Sequence, residues 1–340
     1  MNEIIKLCNR KYLMRIKSLP LIGHIAFGII DRGTNILQIR PTTLCPLNCI
    51  FCSVDAGPLS KYRQTEYIVD RKLLVNWVKA VTKYKGEVIE ALIDGVGDPL
   101  TYAEIVELVR DLKKFIPRVA LETHGASLSK ELIDKLANAG LDRINLSIDT
   151  LDYEKAKYLQ GTEWFNIHKV IKLAEYITKE TPIDLHITPV WLPGINDQDI
   201  EEIIEWSLNI GAGKKFPPLG IQKYVRHKYG RKIKGLKEVS WKDFEKFLEK
   251  LEANYGIPLL WKRLDFGIKY VRKLPTKFRV GEIVEVEVKG PGWLYSEVLT
   301  VDKDYNYVIT VVGVENVSLR KKLKAKILRN KDNIYVAKRV

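Results

Sequence analysis

Cysteine is scarce in this chain: four occur in 340 residues, and three of them, Cys45, Cys49 and Cys52, fall within eight positions. So few cysteines argue against a disulfide-stabilised secreted domain and for a reduced intracellular protein. Long apolar runs are also missing, since no stretch approaches the roughly 18 uncharged apolar residues that cross a bilayer. Basic residues interrupt the N-terminal segment, so we expect no cleavable signal. These absences predict a cytoplasmic protein with no membrane partner.

Basic residues are in excess over acidic ones in this chain. The 56 basic residues outnumber the 42 acidic ones, which gives a formal net charge of +14, and 46% of the residues are hydrophobic. A surplus of this size attracts polyanions and makes nucleic acid a candidate partner. Abundant lysine with little methionine and cysteine is also typical of a thermophile, in which lysine can serve stability instead of binding. We expect an archaeal source.

The chain up to residue 255 alternates strand-like and helix-like segments. A hairpin around Asp31-Arg32-Gly33-Thr34 is predicted to deliver its second strand to the cysteines. Alternation of this kind implies a parallel sheet with helical crossovers, here an α/β fold with a partial (β/α)6 barrel whose chemistry lies at the carboxyl ends of the strands. The predicted strands are 35–40, 88–93, 118–121, 143–148, 184–190 and 219–225, and the predicted helices are 70–84, 103–115, 130–139, 167–178, 197–208 and 241–253.

Beyond Pro275 the pattern changes to short strands of period two, which predicts a small all-β barrel. The run Val284-x-Val286-x-Val288 and the closing segment 323–327 resemble a TRAM domain, a small OB-like barrel that binds RNA in RNA-modifying enzymes. The predicted organisation is an N-terminal extension and hairpin strand over 1–34, a core barrel over 35–255, a linker over 256–275 and a TRAM-like barrel over 276–340.

The cysteine motif carries the chemistry. Three thiolates are one short of a closed tetrahedral zinc site or of a fully ligated four-iron cluster, and the next histidine, His124, lies on a different predicted element. Structural zinc is therefore disfavoured, and one coordination position is open. The spacing Cys-x3-Cys-x2-Cys, with Phe51 before the last cysteine, resembles the radical S-adenosylmethionine (SAM) superfamily. The resemblance implies a [4Fe–4S] cluster on Cys45, Cys49 and Cys52 that chelates SAM, with Phe51 against the adenine.

Further motifs follow in the order that this superfamily shows. The turn Asp94-Gly95-Val96-Gly97-Asp98-Pro99 resembles its Gly-Gly-Glu-Pro signature, which binds the methionyl amino group; Val96 and Asp98 replace the usual glycine and glutamate. The resemblance extends over the next strand ends and implies SAM contacts from Gly95, Gly97, Asp98, Glu122, Thr123, Asn145, Ser147, Asp149, Thr188 and Leu192. It implies reductive cleavage of SAM to a 5′-deoxyadenosyl radical, for which an external electron donor such as ferredoxin or flavodoxin is needed. No catalytic residue beyond these is assigned.

Two basic stretches point to the substrate. Nine Lys or Arg residues and no acidic residue lie between Lys214 and Lys237, with aromatic residues interleaved, a pattern that suits phosphate contact and base stacking. A second stretch lies in the predicted TRAM-like barrel. The candidate RNA contacts are Lys214, Lys215, Lys223, Arg226, Lys228, Arg231, Lys232, Arg320, Lys321, Lys322 and Lys324. A solvated loop is the simpler interpretation of either stretch alone; together they favour RNA, and tRNA in particular.

The cysteine count limits the reaction. Sulfur insertion through a second cluster would need three more cysteines, and methyl transfer through a cysteine pair would need two, whereas only Cys8 is spare. A single-cluster reaction on a tRNA nucleoside, such as a carbon methylation or a rearrangement, is left. Cofactor biosynthesis on a small molecule and a non-catalytic Fe–S protein that binds RNA are the two alternatives.

Overall fold

The structure is a computed structural model that describes residues 2–7, 11–314 and 318–340. Cys8 is not among them. In chain order the strands are β1 (Glu3–Lys6), β2 (Tyr12–Ile16), β3 (Gly28–Asp31), β4 (Ile36–Arg40), β5 (Thr65–Val69), β6 (Glu90–Ile93), β7 (Arg118–Thr123), β8 (Arg143–Leu146), β9 (Asp184–Ile187), β10 (Val190–Trp191), β11 (Gln222–Lys223), β12 (Ile283–Pro291), β13 (Glu297–Asp302), β14 (Val308–Val312), β15 (Lys322–Arg329) and β16 (Val336–Arg339). The α-helices are α1 (Arg71–Lys85), α2 (Ile105–Lys113), α3 (Lys130–Ala139), α4 (Tyr153–Gln160), α5 (Ile167–Glu180), α6 (Asp197–Asn209) and α7 (Trp241–Tyr255).

Several helices begin at a polar side chain that caps the first turn. Asp70 accepts a hydrogen bond from the N–H of Leu73 at the start of α1, and Ser129 does the same for Leu132 at the start of α3. Such caps satisfy backbone donors that have no partner inside the helix. Gly140 ends α3 in the left-handed conformation, which glycine adopts without strain. The predicted helix 130–139 is therefore confirmed with its bounds.

The chain divides into two compact units. Unit 1 contains residues 1–44, 60–117 and 270–340, and unit 2 contains residues 45–59 and 118–269. In unit 1, β3 and β4 form the predicted antiparallel hairpin, with Asp31 opposite Leu37, and β4 pairs in parallel with β6. A second sheet of unit 1 has the order β1-β2-β5, and sequence reasoning missed it.

The C-terminal strands of unit 1 form a closed barrel. Its strand order is β12-β13-β14-β16-β15, and pairing of β15 with β12 closes it. Alternate residues of β12 and β15 point inward and build an apolar core that includes Val286, Ala325 and Ile327. The predicted small β-barrel is confirmed; its likeness to TRAM or OB domains stays a prediction.

The barrel is tied to the rest of unit 1 by backbone hydrogen bonds. The carbonyl of Trp293 accepts from the N–H of Gln64, and the carbonyl of Gly23 accepts from the N–H of Tyr335. Gly23 has a φ of +123°, and a Cβ there would lie 1.9 Å from the carbonyl oxygen of Val308. Only glycine fits at this contact. The predicted linker 256–275 and the domain boundaries stay predictions, but residues 270–275 already belong to unit 1.

Unit 2 contains a parallel sheet in the order β7-β8-β9, in which Glu122 lies opposite Asn145 and Asn145 opposite His186. Helix α5 packs on β9 and against α3 and α4. Together with the strand and helix order of unit 1, this confirms the predicted α/β class. Among the described residues, no helix combines the length and apolar character that a membrane span requires.

Two sequence predictions in unit 2 need correction. The strand predicted over 219–225 is only the two-residue β11, which pairs with β10, and Leu219 contributes an isolated bridge to Ile187. Pro189, between β9 and β10, explains the interruption because it has no N–H to donate between the pairs Ile187–Leu219 and Val190–Gln222. Sequence reasoning also missed α4, whose short sequence carries two lysines and little apolar periodicity.

Candidate functional site

The cysteine loop of unit 2 is held by the end of α4. The N–H groups of Asn48 and Ile50 donate to the carbonyls of Gln160 and Leu159, at 3.0 and 2.9 Å. Gly161 ends α4 with a φ of +58°, and a Cβ there would lie 2.3 Å from the carbonyl oxygen of Asn48. The cysteine loop therefore depends on a glycine at this close approach.

Several acidic groups lie around Cys49, which is 5% exposed. Burial raises the pKa of the Cys49 thiol well above its usual value, and the neighbouring Cys52, Cys45 and Asp149 raise it further, while Arg231 opposes them. The pKa of Asp149 is also raised, chiefly by burial. The side chain of Gln160 joins the two groups: its oxygen accepts from the Cys49 sulfur at 2.7 Å, and its amide donates to Asp149 at 3.1 Å.

These surroundings fit a cationic group on the three thiols. A bound metal deprotonates its thiol ligands, and its positive charge offsets the repulsion that raises the Cys49 pKa. Among residues 2–7, 11–314 and 318–340, no three His, Cys, Asp or Glu side chains converge closely enough to hold one metal ion. The fit of a cluster therefore depends on the donor set, three cysteines in one loop, and on the charge around Cys49.

Arg231 braces the cysteine loop from a distant part of the sequence. Its N–H donates to the carbonyl of Cys52 at 2.8 Å, and its guanidinium donates to the carbonyls of Cys49 and Ala56 at 3.1 and 2.6 Å. The same guanidinium pairs with the buried carboxylate of Asp55 at 2.9 Å. Sequence reasoning placed Arg231 among the RNA contacts, and nothing in the sequence indicated this role.

In unit 1, the loop after β6 packs against the residues that precede Cys45. A Cβ on Gly97 would lie 2.2 Å from the carbonyl oxygen of Leu44 and 2.3 Å from that of Thr43, so the position requires glycine. Gly95 is less crowded, with 3.3 Å to the carbonyl oxygen of Thr42. Asp98 is buried, and its carboxylate caps the 3₁₀ turn Pro99–Thr101 by accepting from the N–H of Leu100.

Arg63 packs against the loop after β6, and sequence reasoning missed it. It is 1% exposed, and its guanidinium donates to the carbonyls of Thr43 and Val96. The guanidinium also lies over the ring of Trp293, 5.1 Å from the centroid. One buried cation thus joins the strand before the cysteines, the glycine loop and the C-terminal barrel.

Other predicted SAM contacts meet at the strand ends of unit 2. The Asn145 amide lies 3.5 Å from the Glu122 carboxylate, and the hydroxyls of Ser147 and Thr188 are 3.3 Å apart. Asp149 accepts from the N–H of Val190 at 2.8 Å. Three further residues that were assigned to SAM, Phe51, Thr123 and Leu192, are buried in unit 2. The SAM-binding roles of these residues stay predictions.

The candidate RNA contacts of unit 2 fall into two groups. Lys214 binds the carbonyls of Ile177, Thr181 and Ile183, and Lys223 is buried against Glu238 at 2.7 Å. These lysines, like Arg231, have intramolecular partners. The other members, Lys215, Arg226, Lys228 and Lys232, are exposed, and the ammonium of Lys232 donates to the carbonyl of Lys228.

In the barrel, Arg320, Lys321, Lys322 and Lys324 are all exposed. Lys322, Lys324 and Lys326 alternate along the outer face of β15, and Lys326 lies opposite Lys338 of β16. Lys322 pairs with Glu285 at 3.5 Å. Within the described part of the chain, Lys324, Lys326 and Lys338 form no ion pair, although Glu285 of β12 lies opposite Lys324.

The sequence was compared with known families and proteins. Residues 39–207 match the profile of the Radical SAM superfamily. An uncharacterized protein of Methanocaldococcus jannaschii is 42% identical over 98% of this chain and 82% of its own length. A probable GTP 3′,8-cyclase of Pyrococcus abyssi is 28% identical over 74% of each chain.

Among solved structures, Streptococcus suis SuiB bound to S-adenosylmethionine matches with a TM-score of 0.53 and 21% identity. The match covers 71% of this chain and 49% of SuiB, so this chain spans about half the length of that protein. At this identity the likeness concerns the fold alone.

Proposed function

Because this chain belongs to the radical SAM superfamily, we propose that it is a radical SAM enzyme that modifies a nucleoside of RNA, and of tRNA in particular. Its cofactors are a [4Fe–4S] cluster and SAM, and enzymes of this superfamily need an external electron donor. When bound, the cluster supplies the electron that cleaves SAM reductively.

In this proposal the chain's own residues hold and orient the reactants. Cys45, Cys49 and Cys52 hold the cluster, with Gln160 and Arg231 fixing the loop that carries them. Gly95, Gly97 and Asp98 bind the amino acid end of SAM, and the polar strand ends around Asn145 and Ser147 bind its nucleoside end. Fixing the reactants in this way lowers the entropic part of the barrier and excludes water from a reactive radical.

The exposed lysine face of the barrel is the observation that supports RNA as the substrate. Lys324, Lys326 and Lys338 lie close together on β15 and β16 and form no ion pair among the described residues, and the nearby Glu285 is paired with Lys322. Neighbouring unpaired cations on one exposed face suit contacts with successive phosphates.

The double variant Lys324→Glu and Lys326→Glu tests this substrate. We expect its tRNA affinity to fall at least about tenfold at low salt and its salt dependence to become shallower by about one unit of slope per lost phosphate contact. The matched control is Lys246→Glu with Lys250→Glu, two exposed lysines of α7. Equal tRNA affinity of both variants and the parent protein would contradict the proposal. Mass spectrometry of tRNA nucleosides from a deletion strain then identifies the product.

A free nucleotide is the second candidate substrate, supported by the 28% identity to a probable GTP 3′,8-cyclase over 74% of the chain. Binding of a small nucleotide in the mouth of the radical SAM core, rather than on the C-terminal barrel, would depend weakly on salt. Its affinity would not change in the β15 variants. GTP-dependent hydrogen abstraction, followed as deuterium transfer from labelled GTP to 5′-deoxyadenosine, would establish this alternative.

A further inference from the structure

Residues 226–234, called here the basic cover, lie directly on the cysteine loop of unit 2. The N–H of Arg231 bonds to the carbonyl of Cys52, and a Cβ on Gly230 would lie 2.7 Å from the carbonyl oxygen of Ser53. Backbone therefore packs on backbone at the last cysteine of the motif. Whatever binds the outer side of the basic cover approaches the cluster ligands closely.

The outer side of the basic cover is predominantly cationic, and one carboxylate, that of Glu238, reaches it and accepts from the N–H of Arg226 at 3.0 Å. The exposed charged residues of the basic cover are Arg226, Lys228, Lys232 and Lys234. No acidic residue occurs between Lys214 and Lys237, and the next one, Glu238, is paired with Lys223 at 2.7 Å. A partner with a concentrated negative charge is therefore attracted to this surface over about a Debye length.

Of the aromatic side chains in the surrounding stretch, only the neighbouring His227 and Tyr229 are exposed, so the stretch has no long row of exposed rings for bases. Phe216 packs against Phe266 and beneath the guanidinium of Arg143, and Tyr224 is buried. Tyr229, 42% exposed, is the large ring that the basic cover itself presents, with the ammonium of Lys228 4.9 Å from its centroid. Single-stranded RNA is usually bound by several exposed rings in a row, so the surface favours recognition by charge over recognition by stacking.

We propose that the basic cover is the docking surface for a small acidic redox protein that reduces the cluster. One electron leaves the reduced carrier and enters the cluster, and no atom or proton is transferred. Electron transfer weakens steeply with distance, which favours docking where the protein backbone adjoins a cluster ligand. Redox encounters are small and transient, and charge complementarity sets their association rate. This inference rests on the radical SAM chemistry of the chain and not on RNA as its substrate.

The test compares two electron sources in the triple variant Lys228→Glu, Lys232→Glu and Lys234→Glu, which leaves Arg231 in place. Formation of 5′-deoxyadenosine from SAM is measured without RNA, with either dithionite or an enzymatically reduced acidic [2Fe–2S] ferredoxin as the electron source. We expect the ferredoxin-driven rate constant to fall about tenfold or more at low salt, and the loss to shrink at high salt. The dithionite-driven rate stays within about twofold of the parent.

The α7 triple variant Lys242→Glu, Lys246→Glu and Lys250→Glu carries the same change of charge on another exposed surface and should keep both rates. If the ferredoxin-driven rate of the basic-cover triple variant equals that of the parent, the proposal is overturned. If that variant loses tRNA binding while its reduction by ferredoxin is unchanged, the proposal is also overturned and the basic cover is assigned to RNA. Because Lys232 also bonds to the carbonyl of Lys228, the triple variant could assemble less iron. In that case the single variants Lys228→Glu and Lys234→Glu are measured in the same way. A lower ratio of the ferredoxin-driven to the dithionite-driven rate than in the parent supports the proposal, and an equal ratio overturns it.

Discussion

The thiol of Cys49 donates a hydrogen bond to the side-chain oxygen of Gln160, with 2.7 Å between sulfur and oxygen. Gln160 is the last residue of α4, and its backbone carbonyl also holds Asn48 of the cysteine loop. A glutamine more than a hundred residues from the motif therefore controls both the path of the loop and the surroundings of its buried thiol.

Replacing Gln160 with leucine separates these two roles, because the backbone bond to Asn48 is kept while the amide is lost. We expect the apo protein to lose about 1 to 3 kcal/mol of unfolding free energy, since the buried Asp149 loses a hydrogen-bond donor. We also expect reduced iron incorporation. Urea denaturation and iron analysis measure the two effects, with Gln222→Leu, an exposed glutamine of β11, as control. Parent-like values in Gln160→Leu would contradict this account.

Gly97→Ala should disturb the strand that leads into the cysteines. Its Cβ would approach two backbone carbonyl oxygens, of Leu44 and Thr43, to within 2.3 Å, and such a contact requires a backbone shift. We expect lower iron incorporation and weaker SAM binding. In Gly95→Ala the nearest oxygen is 3.3 Å away, so iron incorporation should be almost unchanged. If both variants assembled the cluster equally well, the close contact at Gly97 would not matter for cluster assembly.

Arg231→Ala removes the guanidinium that pairs with Asp55, a carboxylate only 2% exposed. Loss of one partner of a buried ion pair costs about 3 kcal/mol, and the cysteine loop loses its brace at Cys49 and Ala56 as well. The double variant Arg231→Ala with Asp55→Asn should recover part of the stability but not the iron content, because the bonds to the loop carbonyls remain absent. Chemical denaturation and iron analysis of both variants distinguish the charge effect from the bracing effect.

Glu297 makes the stability of the C-terminal barrel depend on pH. Burial raises the pKa of this carboxyl to about 7, against the opposing effect of the bond from the N–H of Leu294. The folded state then holds a proton that the unfolded state releases, so stability falls as the pH rises from about 4.5 to about 7. Allowing for partial exposure, we expect a loss of about 1 to 2 kcal/mol across this window. Glu297→Gln should remove this loss and raise Tm at pH 8; an unchanged pH profile would refute the assignment.

The parts of the fold that the sequence predicted are those with local signals. Period-two apolar runs located β4, β12 and β15, and the alternation of strand-like and helix-like segments located α3 with its bounds. The three cysteines were recognised by their spacing alone. Contacts between distant segments left no such signal: Arg231 reaches the carbonyl of Cys49 across 182 residues, and Arg63 is buried although arginine is usually exposed. The basic stretch was predicted from charge, but the burial of Tyr224 and the packing of Phe216 under Arg143 are tertiary properties that composition cannot indicate.

The central claim is that Cys45, Cys49 and Cys52 hold a [4Fe–4S] cluster with one iron open to SAM. Electron paramagnetic resonance of anaerobically reconstituted, dithionite-reduced protein, recorded with and without SAM, tests it most directly. The account predicts about four iron atoms per chain, a reduced-cluster signal that changes when SAM is added, and loss of that signal in each Cys→Ala variant. A spectrum that does not respond to SAM, or a Cys→Ala variant that still produces 5′-deoxyadenosine, would contradict it.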